Sequence, residues 1–215
     1  MNSNTRTIIN LNTWDRAKSY EFYKNFLNPQ VSITAEVECT AAFNDCKENN
    51  TSFFRKYVYA ILRSVNDINE LKYRIEQVDG EERVVLYDKI SVLAPVRVGS
   101  NGEFTTVKVP YYLTFEKFNR VMDEIIAAID PNDPEPYFVE EDQERRGFSD
   151  MVVISALPDL HFTSVTATQS CSFGSRKPLI NVGKAVLKEG KIMMPVAISF
   201  HHGLCDGYHI SRFFN

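Results

Sequence analysis

Residues 31–39 alternate strictly between apolar and polar side chains. They form the sequence V-S-I-T-A-E-V-E-C, which is apolar at every odd position. A period of two is typical of a strand with one buried face. Apolar runs at residues 151–156, 162–168, 179–182 and 192–200 predict four further strands.

Two long helices are predicted by apolar residues that recur every three or four positions. Ser52 precedes the first helix and Thr114 the second, and both residue types accept a hydrogen bond from the first helical turn. Pro131 ends the second helix, and Thr40 opens a shorter one. The apolar positions are Phe54, Tyr57, Val58, Ile61, Leu62 and Val65 in the first long helix, and Phe115, Phe118, Val121, Met122, Ile125, Ile126 and Ile129 in the second. Each helix therefore packs one face on a sheet.

Two hairpins are also predicted. Asp79-Gly80 separates residues 73–77 from residues 83–87, and Asp-Gly tolerates the positive φ of a tight turn. A second hairpin turns near Glu189-Gly190. Because helices and strands alternate irregularly and hairpins are present, the pattern favours an α+β fold.

Residues 132–146 combine prolines with three consecutive acidic residues, which predicts an exposed loop. Core segments flank this loop on both sides, so it is not a linker between domains. We therefore predict one α+β domain over residues 1–215, a two-layer arrangement of helices packed on a mixed, largely antiparallel sheet.

Composition narrows the possible functions. With 215 residues, of which 44% are hydrophobic and 24% charged, the chain is long enough for a globular core. The net charge of -4 argues against a nucleic-acid partner, and neither familiar glycine-rich phosphate loop is present. The longest apolar run, residues 192–200, is too short to span a membrane, and residues 1–14 lack a secretory signal. We therefore expect a cytoplasmic protein with reduced cysteines.

Three of the four histidines lie within residues 200–209, F-H-H-G-L-C-D-G-Y-H, directly after a predicted buried strand. One interpretation is structural, with core histidines followed by a turn at Asp206 and Gly207. A second is a metal site, but adjacent His201 and His202 face opposite sides of a strand, and no Cys or Glu has ligand spacing. A third is general-base catalysis by one histidine. Because no G-x-S-x-G motif is present, such a base would activate the substrate directly.

The stretch 201–207, H-H-G-L-C-D-G, resembles the HHxxxDG motif of the chloramphenicol acetyltransferase superfamily, which includes dihydrolipoamide acyltransferase domains. Residues 208–213 are similar to chloramphenicol acetyltransferases in particular. Further matching segments occur in the same chain order, and the resemblance spans nearly the whole chain. These segments are Trp14-Asp15-Arg16, Glu21-Phe22-Tyr23, Phe104-Thr105 and Ile154-Ser155-Ala156-Leu157-Pro158.

This resemblance implies a role for four residues. His202 would be the general base that deprotonates the acceptor hydroxyl, which then attacks acetyl-CoA. Ser155 would donate a hydrogen bond to the tetrahedral oxyanion. Asp206 would pair with Arg16 as a rigid support near the site.

The resemblance also implies a set of substrate-binding residues and one CoA contact. These are Tyr23, Leu27, Phe104, Thr105, Val165 and Asn181 in the acceptor pocket, and Lys184 near the CoA phosphate. Lys184 is equally well explained as a solvated charge at a strand end. The chain departs from the family at Asp159, Val165, Ala167, Gln169 and Asn181. The pocket is therefore expected to be reshaped.

The function implied by the resemblance is an acetyl-CoA-dependent O-acetyltransferase of the chloramphenicol acetyltransferase type. Acetyl-CoA would be a cosubstrate, with no tightly bound cofactor and no metal. The expected assembly is a homotrimer with sites between subunits, without nucleic acid or membrane partners. One alternative is acetylation of a different small alcohol, and another is a binding module that keeps the fold without turnover. Retention of Arg16, Ser155, His202 and Asp206 argues against the binding module.

Overall fold

The computed structural model describes residues 4–97, 104–130, 149–166 and 177–215. These residues form ten strands and five α-helices in a mixed order. The strands are β1 (Arg6–Ile8), β2 (Gln30–Glu38), β3 (Tyr73–Val78), β4 (Glu81–Tyr87), β5 (Ser91–Arg97), β6 (Phe104–Val109), β7 (Met151–Leu157), β8 (Leu179–Gly183), β9 (Val186–Lys188) and β10 (Lys191–His201). The helices are α1 (Ala17–Tyr23), α2 (Thr40–Glu48), α3 (Phe53–Asn66), α4 (Phe115–Ala127) and α5 (Gly207–Phe214), with a short 3-10 helix at Asn69–Leu71.

The main sheet contains seven strands, six of them in the order β2-β10-β8-β7-β5-β6, with β9 paired to β10. Strand β7 pairs in parallel with β8 and β5, while the other pairings are antiparallel. A smaller antiparallel sheet has the order β1-β4-β3. The predicted α+β fold with a mixed, largely antiparallel sheet is confirmed.

Local sequence patterns locate several elements to within one or two residues. Strand β2 covers the alternating segment, and α3 and α4 begin after Ser52 and Thr114. The Ser52 side chain accepts from the backbone N–H of Arg55, and the Thr114 side chain accepts from that of Lys117. Both predicted N-caps are therefore confirmed, because the free N–H groups of a first helical turn find partners there.

Both predicted hairpins form around residues with positive φ. Asp79 and Gly80 have φ values of 53° and 80° between β3 and β4. Glu189 and Gly190 have nearly the same values, 52° and 81°, between β9 and β10. Two successive residues with positive φ match the right-handed twist of antiparallel strands.

The strand predicted at residues 162–168 is wrong for its described part. Residues 161–166 form no strand, and residues 167–168 lie outside the described residues. The chain instead crosses the end of β8, where the backbone N–H of Lys184 donates to the carbonyl of Leu160 at 2.8 Å. A Cβ on Gly183 would lie 2.9 Å from the ring of Phe162, so this crossing depends on a glycine in β8. The predicted loop at residues 132–146 also lies outside the described residues.

One face of the main sheet packs against helices. Alternate residues of β7, β8 and β10, such as Ile154, Ile180 and Ile198, belong to the same buried cluster as Leu62 of α3 and Phe213 of α5. The remaining positions on those strands belong to the opposite face, because side chains alternate along a strand.

A second, smaller cluster joins α1 to the three-stranded sheet. It contains Tyr20 of α1, Ile75 of β3, Val84 of β4 and Leu204, which follows β10. The Tyr20 hydroxyl also donates to Glu82 at 2.7 Å. This packing holds α1 against the turn that carries His202.

Candidate active site

His202 lies in the turn that immediately follows β10. Its backbone N–H donates to the carbonyl of Pro29 at 2.8 Å. Its Nδ1 lies 3.2 Å from the carbonyl oxygen of Cys205. A carbonyl can only accept, so Nδ1 carries the hydrogen in the neutral ring and Nε2 has the lone pair.

The ring of His202 is also held by stacking. Tyr23 lies almost parallel to it, with a centroid separation of 4.3 Å and an interplanar angle of 17°. The ring of Phe200 lies edge-on to that of His202, with a centroid separation of 6.5 Å. A half-buried imidazole fixed by its Nδ1 and by one ring face can accept a proton at Nε2 from a group bound beside it.

Arg16 connects this turn to α1. One terminal nitrogen of its guanidinium lies 2.7 Å from Asp206 Oδ2, and the other donates to the carbonyl of His202 at 3.3 Å. Arg16 is 9% exposed, and its Nε has no hydrogen-bond partner among the described residues. The predicted Arg16–Asp206 pair is present and reaches the backbone of His202.

Asp206 is also the N-cap of α5. Its Oδ1 accepts from the backbone N–H of Tyr208 at 3.0 Å. Partial burial opposes ionisation, but the hydrogen bond from Arg16, the charges of His209 and Arg16 and the Tyr208 N–H together hold the pKa of Asp206 below its ordinary value. Asp206 is therefore a carboxylate at neutral pH. We call Arg16, Tyr23, His202 and Asp206 the base cluster.

Cys205 lies between His202 and Asp206 but has the properties of a structural thiol. Burial raises the pKa of Cys205 to about 12, so it is protonated at neutral pH. Cys39 and Cys46 are buried and free like Cys205, as the sequence predicted, while Cys171 lies outside the described residues. Because Cys205 stays protonated, the group in this turn with a lone pair suited to take a proton is Nε2 of the neutral His202 ring.

Ser155 and Asn181 lie side by side on the opposite face of the main sheet from the helices. Ser155 of β7 is paired in register with Asn181 of β8, which in turn pairs with Ala197 of β10. Asn181 is buried, and its Nδ2 has no hydrogen-bond partner among the described residues. We call Ser155 and Asn181 the sheet-face pair. Both can donate a hydrogen bond to an oxygen lying above this face.

One chain does not bring the base cluster and the sheet-face pair together. Ser199 of β10 lies level with Leu179 of β8 and Val153 of β7. Strand β10 runs antiparallel to β7 and β8. His202 therefore lies three residues beyond this level toward one end of the sheet, and Ser155 lies two residues beyond it toward the opposite end. At about 3.3 Å per residue and 4.8 Å per strand, their Cα atoms are roughly 15 to 20 Å apart.

The predicted acceptor-pocket residues also lie in separate parts of the chain. Tyr23 stacks on His202, and Leu27 follows α1 with its side chain fully exposed. Phe104 and Thr105 lie on β6, the far edge of the sheet from β2. Phe104 is half-exposed and Thr105 is buried. The structure therefore places Tyr23 against the base, whereas Leu27 is exposed and Phe104 and Thr105 lie at the far edge of the sheet.

Of the remaining predicted residues, Lys184 lies at the end of β8. Lys184 directly follows β8 and is exposed, and its backbone is anchored on Leu160. Val165 is half-buried in the segment that passes over this strand. Ala167 and Gln169 lie outside the described residues. Asp159 is exposed just after β7.

The contacts that the sequence analysis missed are mostly made by backbone atoms. The carbonyls of Pro29 and Cys205 hold the backbone and the ring of His202, respectively. A side-chain motif contains no signal for such contacts. The side chains of His209 and Glu70 were also missed. They extend the side-chain contacts of Asp206 beyond Arg16. The position of His209 one helical turn after Asp206 could have indicated the first of these.

Within the part of the chain that the structure describes, no group of three or more His, Cys, Asp or Glu side chains is arranged to hold a metal ion. Within the same residues, every helix is too short or too polar to cross a bilayer.

Comparison with known proteins agrees with this fold. A family model described as chloramphenicol acetyltransferase matches residues 3–215. Chloramphenicol acetyltransferase of Proteus mirabilis is 26% identical over 208 residues, covering 97% of this chain and 91% of that protein. The enzyme of the same name from Staphylococcus aureus is 28% identical over 219 residues, covering 98% and 94%.

Solved structures extend the comparison. A chloramphenicol acetyltransferase structure superposes with a TM-score of 0.90 at 43% identity and covers 98% of this chain and 96% of that one. Azotobacter vinelandii dihydrolipoamide acetyltransferase has a TM-score of 0.56 at 13% identity, covering 92% of this chain and 82% of its own. At that identity the second likeness concerns the fold alone.

Proposed function

This chain belongs to the chloramphenicol acetyltransferase family, and on that premise we propose that it transfers the acetyl group of acetyl-CoA to a hydroxyl of chloramphenicol, with His202 as general base. The family consists of acetyl-CoA-dependent acyltransferases, so the chain is an O-acetyltransferase and acetyl-CoA is its cosubstrate. Acetylation of the antibiotic would make it a resistance enzyme. The cytoplasm, where acetyl-CoA is available, is the proposed location.

The proposed reaction uses one protein base and no covalent enzyme intermediate. Nε2 of His202 takes the proton of the acceptor hydroxyl, whose oxygen attacks the thioester carbonyl. The hydroxyl of Ser155 donates a hydrogen bond to the resulting oxyanion. When the intermediate collapses, the carbon–sulfur bond breaks and the CoA sulfur takes the proton back from His202. The products are the acetyl ester and free CoA.

The state of the His202 ring carries this proposal. Its Nδ1 is occupied by the carbonyl of Cys205, and one ring face is covered by Tyr23. A base must present one lone pair in one direction, and this arrangement leaves Nε2 as the accepting atom. The ion pair of Arg16 with Asp206 further fixes the peptide of His202. Arg16 and Asp206 are therefore proposed as supports for the base.

The substrate contacts are proposed from family membership. Tyr23, Leu27, Phe104, Thr105, Val165 and Asn181 would contact the acceptor, and Lys184 would lie near a CoA phosphate. The exposed position of Lys184 at the end of β8 is compatible with a phosphate contact. Acetyl-CoA binds and leaves in each cycle, so no tightly bound cofactor is required.

The separation of the two groups of residues supports the proposed homotrimer. His202 and Ser155 are roughly 15 to 20 Å apart in one chain by strand register. His202 must reach the acceptor hydroxyl and Ser155 the thioester carbonyl that this hydroxyl attacks, so the separation favours an active site shared between two chains. We propose that the base cluster of one subunit faces the sheet-face pair of the next, which a ring of three subunits would repeat.

The test of the function is release of CoA thiol from acetyl-CoA, measured with a thiol reagent in the presence and absence of chloramphenicol. Release that depends on chloramphenicol supports the proposal. Release that appears only with other alcohols would identify a different acceptor, an alternative favoured by the departures at Val165, Ala167 and Gln169. Tight acetyl-CoA binding without release with any alcohol would identify a binding module and refute the enzyme.

The assembly is tested by light scattering with activity assayed on the same sample. A trimer of 24.7 kDa subunits is expected. An active monomer would contradict the proposed subunit interface.

A further inference from the structure

His209 lies one helical turn beyond Asp206, in the first turn of α5. It is one of the three histidines clustered after β10, and the proposed reaction does not use it. It is 8% exposed and so does not reach the acceptor as a surface group. Its two ring nitrogens both face acidic side chains, which a histidine buried only for packing does not require.

The Nδ1 side of the ring contacts Asp206. The backbone N–H of Asp206 donates to Nδ1 at 3.2 Å and completes a capping box at the start of α5. Nδ1 also lies 2.8 Å from Asp206 Oδ1. His209 therefore contacts both the backbone and the carboxylate of Asp206.

The Nε2 side of the ring faces Glu70. Nε2 lies 3.5 Å from Glu70 Oε1, and the Glu70 side chain is 21% exposed. Glu70 belongs to the 3-10 helix Asn69–Leu71, which precedes β3. The ring therefore bridges an element outside the active-site turn to the N-cap of α5.

These contacts extend the support of the base by two residues. Glu70 contacts His209, His209 contacts Asp206, and Asp206 contacts Arg16, which donates to the carbonyl of His202. Arg16 donates to Oδ2 of Asp206, the Tyr208 N–H donates to Oδ1, and Nδ1 of His209 accepts from the Asp206 N–H. Without His209, Asp206 loses the side chain that holds its backbone in the orientation that meets Arg16.

We propose that His209, held in place by Glu70, is a positioning residue that orients Asp206 and, through Arg16, the peptide of the base His202. This inference rests on the proposed function, because it requires His202 to be the base. His209 does not touch the substrate. Its effect is on the rate of the chemical step and not on the binding of either substrate.

The test compares four variants with the parent: His209→Ala, His209→Asn, Glu70→Ala and the double variant His209→Ala/Glu70→Ala. We expect His209→Ala to lower kcat per folded subunit about 10- to 50-fold with both KM values within twofold, since a displaced base loses much of a contribution of roughly 10²- to 10⁴-fold. In His209→Asn, the amide oxygen can accept from the Asp206 N–H in place of Nδ1, so kcat should recover to within about fivefold of the parent. Glu70→Ala should lower kcat about fivefold.

The double variant gives the sharpest result. If Glu70 acts through His209, replacing Glu70 lowers kcat no further once His209 is alanine. Multiplicative losses in the double variant would overturn the coupling. A His209→Ala enzyme with parental kcat per folded subunit, or with only its KM values changed, would overturn the positioning role. If His209→Ala does not fold, the comparison of Glu70→Ala with His209→Asn and the parent decides in the same way.

Glu124→Ala is the matched control, because Glu124 forms an exposed ion pair with Arg120 on α4, away from the base cluster. It should retain parental kinetics. A parent without thiol release would refute the proposed function. An active parent that loses activity in His202→Ala but not in the His209 and Glu70 variants would refute this inference alone.

Discussion

Around His202, the charged and aromatic groups contact partners within the same chain, whereas Asn181 of the sheet-face pair has a buried Nδ2 without a hydrogen bond among the described residues. The base cluster is joined by the Arg16–Asp206 pair at 2.7 Å and by the stacked rings of Tyr23 and His202. Within it, the Nε of Arg16 is also buried without a hydrogen bond among those residues, although both terminal nitrogens of the guanidinium are paired. A buried donor without a partner costs free energy, and a substrate oxygen bound above the sheet face would recover that cost at Asn181.

The difference suggests that the two regions contribute in different ways. The base cluster is organised before any substrate binds, because folding alone brings its members together. We propose that the donors of the sheet-face pair meet their acceptor in the substrate or in a neighbouring subunit. Variants in the first region should therefore affect the base and its support, and variants in the second should affect the transition state.

The largest effect is expected for His202→Ala. Loss of a positioned base should lower kcat roughly 10²- to 10⁴-fold, while acetyl-CoA affinity stays within about twofold. Steady-state kinetics and calorimetric titration with acetyl-CoA measure the two quantities. A variant within threefold or so of the parent in kcat would remove His202 from the role of base.

His201→Ala is the contrasting variant. His201 ends β10, is 4% exposed, and its Nδ1 accepts from the backbone N–H of Gly203 at 3.1 Å. Its replacement should lower the melting temperature more than it lowers kcat, because the contact is part of the fold. The reverse outcome would exchange the roles of the two histidines.

Ser155→Ala tests the sheet-face pair directly. Loss of one oxyanion donor should lower kcat about 10²-fold, with KM values nearly unchanged, because the hydrogen bond is strongest in the transition state. Ser211→Ala is a matched control, since Ser211 is exposed on α5 and donates to Gly207. A change in KM alone would reclassify Ser155 as a substrate-binding residue.

Arg16→Ala tests whether the base cluster depends on its ion pair. Removal of a charged hydrogen-bond partner should lower the free energy of unfolding by about 1–3 kcal/mol and lower kcat as well. Chemical denaturation and kinetics at pH 7 measure both quantities. An unchanged stability would mean that the pair contributes nothing to the folded state.

The same pair predicts a pH dependence of stability. The pKa of Asp206 is lower in the folded chain than its ordinary value, so its stabilising effect is complete above that ordinary value. The effect is lost as the pH falls through the folded pKa. The difference in melting temperature between the parent and Asp206→Asn should therefore shrink on acidification from pH 7 to below pH 4. A constant difference would contradict the ionised pair.

Asn181→Leu has the smallest expected effect on rate and an unusual expected effect on stability. Replacing a buried amide whose Nδ2 has no partner among the described residues with an apolar side chain of similar size should leave stability unchanged or raise it by about 1 kcal/mol. If the amide donates to a bound group, activity should fall severalfold at the same time. Reduced stability with full activity would show that the amide belongs to the fold and not to the site.

The sequence predicted much of this arrangement, for reasons that differ between regions. The motif at residues 201–207 is contiguous, so His202 and Asp206 could be identified without any tertiary structure. Ser155, Asn181 and the pairing of Arg16 with Asp206 came from resemblance to a family. No local pattern connects Arg16 to a residue 190 positions away.

Two strands and one helix show where local patterns fail. Strand β5 is buried along most of its length and contains Pro95, so it neither alternates nor resembles a central strand. Strand β6 and helix α1 are short and received no prediction. The segment at residues 162–168 shows the opposite error, because a strand was predicted there and its described part forms none. Its composition is strand-like, but this part of the chain crosses the end of β8.

By itself, the sequence determined the elements with a strong local period, the two long helices with their N-caps, and both tight turns. These depend on side-chain spacing and on φ preferences, which act over a few residues. Tertiary structure alone decided the neighbours of each strand and hence the distance between His202 and Ser155. Strand pairing is set by hydrogen bonds between segments far apart in the chain, and periodicity carries no information about which segments those are.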